Sequence, residues 1–240
     1  MNIIYEPKGK ALEYSPLAAN LYRGCGHGCT YCYAPSATYT DRALFYSAPS
    51  ARKDVLGQLE KDARKLAGDP RQVLLCFTTD PYQPLNDRLR ITGEAIRVLN
   101  ENRLGVAILS KGGSRAIRDF DTLRQFAGNS YGATLTHDDP IVSQTWEPGA
   151  ALPQDRIDTL KRAHDLGIKT WVSFEPVYDP EAVYRLLDAT HDFVDLYKVG
   201  KLNYHQLSKT IDWPAFRKRI TALLAELGKQ YIIKRDLLAA

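Results

Sequence analysis

The stretch from Asn20 to Ser36, NLYRGCGHGCTYCYAPS, spaces Cys25, Cys29 and Cys32 at intervals of four and three residues. Gly24, Gly26 and Gly28 let the backbone bend sharply here, so three thiolates can converge on one metal centre. Three thiolates leave one iron of a 4Fe–4S cluster without a protein ligand, and an open position is what a catalytic metal centre needs. The chain holds four cysteines, the fourth being Cys76. A disulfide framework would spread them along a secreted chain, whereas clustering points to metal. The alternative is a non-catalytic zinc or redox-sensing module, built from the same three cysteines with His27 or Cys76. Zinc ribbons and fingers usually pair two ligand dipeptides, so a single triplet favours the cluster, with His27 as a loop residue or outer hydrogen-bond donor.

Outward from this loop, short β-rich runs alternate with helical patterns. A strand over about 17–22 leads into the loop, and Arg52–Leu66 reads as an amphipathic helix with Val55, Leu59, Ala63 and Leu66 on one face. Gln72–Phe77 reads as a buried strand, Thr92 as the cap of a helix to about Asn102, and Gly105–Leu109 as a strand. Ser114 is the expected cap of a helix over 115–126, followed by a strand at Tyr131–Thr136 and a helix at Gln154–Leu166 closed by Gly167. Lys169–Phe174 and Phe193–Val199 complete the strands, and Glu181–Asp188 and Trp213–Leu227 the helices. Such a succession of β–α pairs requires parallel strands joined by crossovers of one hand. An open doubly wound sheet and a curved partial barrel both satisfy it, and in either the reactive groups gather at the carboxyl ends of the strands. The glycine fingerprint of the nucleotide-binding sheets is absent after the first strand, where the cysteine loop stands instead.

The 240 residues, 44% hydrophobic and 25% charged, are those of an ordinary globular chain with a substantial core. One domain over 1–240 is expected, with a core at about 17–205 and a closing helix at about 212–228. A net charge of +4, from 32 basic and 28 acidic residues, is too small to argue for nucleic acid on composition. The N-terminal segment has no signal-peptide h-region, and no apolar run approaches the roughly 18–20 residues that span a bilayer. A cytoplasmic protein with no membrane partner is the expectation.

CGHGCTYC resembles the signature of radical S-adenosylmethionine enzymes, C-x3-C-x-aromatic-C, with Tyr31 at the aromatic position. The resemblance implies an α/β fold with a parallel six-stranded partial (β/α)6 barrel. It implies a 4Fe–4S cluster on Cys25, Cys29 and Cys32, whose open iron chelates S-adenosyl-L-methionine. Reductive cleavage would then give a 5′-deoxyadenosyl radical that takes hydrogen from a substrate. A reductant such as flavodoxin or ferredoxin is implied, with a nucleic acid or another protein as candidate substrate.

Within that superfamily the chain is similar to the spore photoproduct lyase group from about Leu17 to Tyr178, and more weakly to His205. FTTDPYQP, LSKG, TLTHDDP through QTWEPG, and FEPVYD follow successive strands. By that resemblance Thr79 contacts the methionine part of S-adenosylmethionine, Lys111 binds its carboxylate, and Thr136 stands where the lyase has a serine. Asp80 is placed to pair with the ammonium, a simple Asp-Pro turn being its bland alternative. Glu175, at the end of an apolar strand, must be solvated or paired, either with ribose or substrate groups or in a salt bridge. Lys198, Lys201, Asn203 and Tyr204 form a polar rim after the last strand. One departure stands out: the lyase carries a hydrogen-donating cysteine just before T-[ST]-D, and here that position is Phe77. Cys76, one residue earlier, is expected on the opposite face as a small buried hydrophobe, which speaks against photoproduct repair.

Overall fold

The computed structural model describes residues 2–203 and 205–240; the rim residue Tyr204 lies outside the described residues. Its main sheet comprises β1 (Ile4–Tyr5), β2 (Leu17–Ala19), β3 (Val73–Leu75), β4 (Val106–Ser110), β5 (Ser130–Thr134), β6 (Lys169–Val177), β7 (Leu196–Lys201) and β8 (Gln230–Ile233), in that spatial order. β2 to β8 are parallel neighbours, and β1 pairs antiparallel with β2. The sequence expectation of six strands is therefore corrected: among the described residues the sheet has eight and is open. The additions are edge strands too short for a periodic signal to mark, although Tyr231, Ile232 and Ile233 carry good strand propensity. The first predicted strand is also divided, since Tyr22–Arg23 leaves the main sheet to form a small hairpin with Ser50–Ala51.

The period of two along each strand sorts the side chains into two environments. Leu17, Ala19, Val73, Leu75, Val106, Ile108, Tyr131, Ala133, Val172, Phe174, Tyr197 and Val199 belong to one large buried cluster. The apolar faces of α1 (Val55–Lys65), α2 (Ile91–Glu101), α3 (Pro153–Asp165), α4 (Pro180–Asp188) and α5 (Trp213–Glu226) join that same cluster. Ala18, Leu74, Ala107 and Trp171 form a separate inner cluster, with Tyr14, Phe77, Leu109 and Leu196 packed against it. Helices thus cover one face and leave the other to aromatic and polar side chains. Leu59, Leu99 and Leu160 are fully buried in the helix–strand layer, and truncating any of them to alanine would cost about 2–5 kcal/mol.

Aspartate-proline pairs start α4 and the shorter helix Pro140–Trp146. Asp139 accepts from the Ile141 and Val142 amides at 2.8 and 2.9 Å, and Asp179 from Glu181 at 2.9 Å, while proline at the first helical turn needs no partner for its missing N–H. The expected caps Thr92 and Ser114 do not act as such. Arg90 precedes α2 in the left-handed region, and the Thr92 hydroxyl instead donates to the Pro81 carbonyl at 2.6 Å. Ser114 lies inside a 3-10 turn, Gly113–Asp119, and hydrogen-bonds Asp155 of α3. No helix of the described residues is long and apolar enough to cross a membrane.

Candidate active site

The cysteine loop leaves the carboxyl end of β2 and is held by its backbone. Gly24 takes φ +74°, and a Cβ there would meet the Phe45 carbonyl oxygen at 2.5 Å, so only glycine fits the turn. The Cys25 amide donates to that same Phe45 oxygen at 3.0 Å. Arg42 donates to the carbonyls of Thr30 and Cys32, and the Tyr46 hydroxyl to that of Cys29, so the short helix Arg42–Ser47 fixes three loop peptides from outside. Cys25 and Cys29 are buried and Cys32 half-buried. Burial pushes the Cys25 thiol well up and the Cys29 thiol up to about 12, while the backbone N–H groups of His27 and Asp80 work the other way on Cys25 and Lys111 on Cys29.

Asp80 locks the second strand end to the third. Its Oδ1 accepts from the Tyr82 amide at 2.8 Å and the Ser110 hydroxyl at 2.7 Å, and its Oδ2 from the Lys111 amide at 2.7 Å. His27 Nδ1 lies 3.4 Å from the same carboxylate, and burial lowers that imidazole to about 4, so it is neutral. The Asp80 carboxylate is thus engaged by its own turn and its neighbours. Thr79, beside it, is buried with its hydroxyl near the Cys76 thiol, and His27 Nε2 is buried with no hydrogen-bond partner among the described residues.

A buried network that sequence reasoning missed centres on Glu147. Arg156 Nη2 lies 2.5 Å from Glu147 Oε2, and neither side chain is more than 1% exposed. Tyr31 and Thr136 both donate to Glu147 Oε1, the latter at 2.9 Å. Arg156 also donates to the carbonyls of Ala151 and Thr134 at 2.8 and 3.0 Å. Burial would raise the Glu147 carboxyl, but Arg156 and Lys111 hold it down at about 2. Lys111 Nζ lies 5.6 Å from the Tyr31 ring centroid; burial opposes its charge, and Cys29 and Glu147 more than offset that, leaving it above the usual lysine value. One clue was legible, because Arg156 falls on the α3 stripe of Ile157, Leu160 and Ala163 that faces the core.

Over the same loop stands a set of rings. Tyr178 lies 5.7 Å from Tyr31, 5.1 Å from His137 and 4.4 Å from Trp146 between centroids. The Tyr178 hydroxyl and His137 Nε2 are buried without hydrogen-bond partners among the described residues. Glu175, by contrast, is not in this group. It sits on the inner face of the sheet, bonded by Tyr14 and Lys234, with Lys198 close by. Tyr33, 58% exposed, donates its hydroxyl to the Phe77 carbonyl at 3.0 Å. Cys76 lies in the outer core and Phe77 packs on the inner cluster, the arrangement expected from strand alternation.

The residues present fit a cluster with an attached cofactor. Three thiols share one loop, cations and N–H groups face the sulfurs, and unpartnered polar atoms surround them. Among the described residues no three His, Cys, Asp or Glu side chains stand close enough to hold a single ion, the three cysteines included.

A parallel sheet with a cysteine triplet at its first carboxyl end defines a metal-dependent α/β enzyme. The family model described as the radical SAM superfamily matches residues 19–194, so the chain belongs to that superfamily. Enzymes of that superfamily use a 4Fe–4S cluster to cleave S-adenosylmethionine reductively to a 5′-deoxyadenosyl radical. An uncharacterized protein of Methanocaldococcus jannaschii is 25% identical over 185 residues, covering 77% of this chain and 69% of its own. SuiB of Streptococcus suis, solved with S-adenosylmethionine and with its precursor peptide SuiA, gives a TM-score of 0.65 in the former at 12% identity over 90% of this chain. A spore photoproduct lyase mutant likewise gives 0.65 at 16% identity over 86% of this chain. This chain spans only 45% of that SuiB chain and 61% of the lyase chain.

Proposed function

We propose that Cys25, Cys29 and Cys32 ligate the 4Fe–4S cluster and that S-adenosylmethionine lies between the cysteine loop and the ends of β3 to β5. The observation that carries this reading is the loop of three cysteines at the carboxyl end of β2, with the buried Lys111 ammonium and the Cys29 thiol acting on each other. When bound, the cluster supplies one electron that breaks a sulfonium carbon–sulfur bond, and the resulting radical takes hydrogen from a substrate. Lys111 attracts the cofactor carboxylate, and Thr79 offers it or the ammonium a hydroxyl. Asp80 acts through the turn it holds, setting where Thr79 and Lys111 stand. Glu147 keeps Tyr31 and Thr136 in place, and the rings of Tyr31, Tyr178, Trp146 and His137 offer the adenine flat apolar faces.

Helices on one face of the sheet support a partial barrel formed by β2 to β7, with the substrate at its inner face. The catalytic unit is then one domain with a core at about 17–205 and a closing helix. A cytoplasmic setting with a flavodoxin or ferredoxin as reductant suits an oxygen-sensitive cluster. A peptide or protein substrate, as SuiB has in its precursor peptide, is consistent with this chain. Photoproduct repair is not, because Phe77 occupies the inner face where a hydrogen-donating thiol would be needed.

Anaerobic reconstitution with iron and sulfide, followed by reduction with S-adenosylmethionine, should release 5′-deoxyadenosine. Alanine at any of the three cysteines should abolish both the cluster's electron paramagnetic resonance signal and that product. A fully loaded cluster that releases no 5′-deoxyadenosine would overturn the reading.

A further inference from the structure

The inner face of the sheet carries a second group of charges that the cofactor reading leaves unused. Lys198 of β7 and Lys234, just after β8, are 7% and 4% exposed. Lys198 Nζ lies 4.7 Å from the Trp171 ring centroid and donates to the Tyr14 carbonyl. Lys234 Nζ lies 3.4 Å from the Tyr14 ring centroid and is paired with Glu175. Glu175 is thus taken up by Lys234, and Lys198 is left between the Trp171 and Tyr14 rings with the Tyr14 carbonyl as its acceptor, Phe77 lying in the same inner cluster. An uncompensated buried charge is costly, and Lys198 has no carboxylate partner among the described residues. Burial and the neighbouring Lys234 accordingly bring the Lys198 ammonium down to about 8.

We propose that Lys198 anchors a carboxylate of the substrate on this inner face, within reach of the radical chemistry; this rests on the function proposed above. Lys234 has Glu175, with Glu13 and Asp236 acting on it as well, so Lys198 is the ammonium without a counter-charge, and a carboxylate supplies one. A phosphomonoester, near two charges at neutral pH, would overfill the pocket beside Glu175. Ser173 and Tyr14 add hydroxyls able to complete the carboxylate's shell, since the Tyr14 hydroxyl lies 3.1 Å from Ser173 Oγ. Glu175, whose side chain is 22% exposed, is where this group meets solvent. The carboxylate would belong either to a small organic acid or to an acidic side chain of a peptide.

The test uses anaerobic, cluster-loaded enzyme with S-adenosylmethionine at constant ionic strength. Lysines are pulse-labelled by reductive methylation at pH 8 and read site by site by mass spectrometry. Propionate, the peptide acetyl-Ala-Glu-Ala-amide and dimethyl phosphate serve as probes. Saturating propionate or peptide should slow labelling of Lys198 about tenfold and leave the exposed Lys61 unchanged. Stronger protection by propionate assigns a small acid, and stronger protection by the peptide an acidic side chain. In calorimetric titrations Lys198→Met should weaken the better carboxylate about tenfold, and Lys198→Arg far less. No protection by either carboxylate, better protection by dimethyl phosphate, or unchanged affinity in Lys198→Met would overturn the proposal. The wild-type labelling needs no variant to fold. Release of 5′-deoxyadenosine is followed in the same wild-type samples; its absence would count against the radical reading alone, since protection of Lys198 is read independently.

Discussion

Two charged groups lie inside this protein, and they are built on opposite terms. Around Glu147, one carboxylate meets Arg156, Tyr31 and Thr136, and Arg156 spends its remaining donors on backbone carbonyls. Around Lys198, Lys234 takes Glu175, and the Lys198 charge rests on rings and one carbonyl. Burial works against both charges, but Arg156 and Lys111 hold the carboxyl at about 2 in one place, while in the other burial and Lys234 together bring the amine down to about 8. A satisfied group is a frame, and an unbalanced one is ready for a ligand. The first braces the cysteine loop, while the second faces the space where a substrate would enter.

The largest effect should come from breaking the frame. Glu147→Ala leaves Arg156 charged, buried and without its partner, and should cost about 3–5 kcal/mol in urea unfolding. Replacing both by apolar residues of similar volume, as Glu147→Leu with Arg156→Met, should recover much of that loss. If the single variant cost under about 1 kcal/mol, the frame would not be the rigid element described.

Stability as a function of pH should separate the two groups by sign. Glu147 has a depressed carboxyl, so its contribution is present above its unfolded value near 4.5 and is lost as pH falls toward about 2. The difference between wild type and Glu147→Gln should shrink by about 3 kcal/mol across that interval. Lys198 is a depressed base, so between about 8 and its unfolded value of 10.5 the unfolded chain binds more protons. Wild type should therefore gain stability relative to Lys198→Met as pH rises through that window, by about 3 kcal/mol at most. Equal slopes in the two proteins would remove the distinction on which the comparison rests.

The two groups also differ in how far the sequence reveals them. The cysteine loop is legible because its chemistry is local: spacing, glycines and an aromatic lie within one short run. Thr79, Lys111 and Thr136 follow from the strand-end rule, since each comes just after an apolar run. Glu147 and Arg156 do not, because their pairing depends on how the chain after β5 folds back over the loop. The second group is harder still. Lys234 is brought to Lys198 by an edge strand whose few residues carry no periodicity, and Tyr14 reaches both from the other end of the chain. Glu175 was legible as a carboxylate needing a partner, but its placement beside Lys234 rather than Lys111 required the sheet order.

The smallest effect tests the unbalanced group itself. Lys198→Met removes a charge that burial and Lys234 disfavour, and puts an unbranched apolar side chain against Trp171 and Tyr14. It also leaves the Tyr14 carbonyl without its lysine donor, a loss of about 1 kcal/mol. At pH 7 the gain from removing the disfavoured charge should exceed that loss, so the variant should be more stable than wild type by about 1 kcal/mol. Near pH 10 the wild-type amine is largely neutral in the fold, and the difference should reverse, with wild type the more stable by about 1–2 kcal/mol. A lysine kept purely for stability would give the opposite result, a destabilised variant at pH 7. Stability lost by keeping Lys198 is what a site held ready for a carboxylate would show.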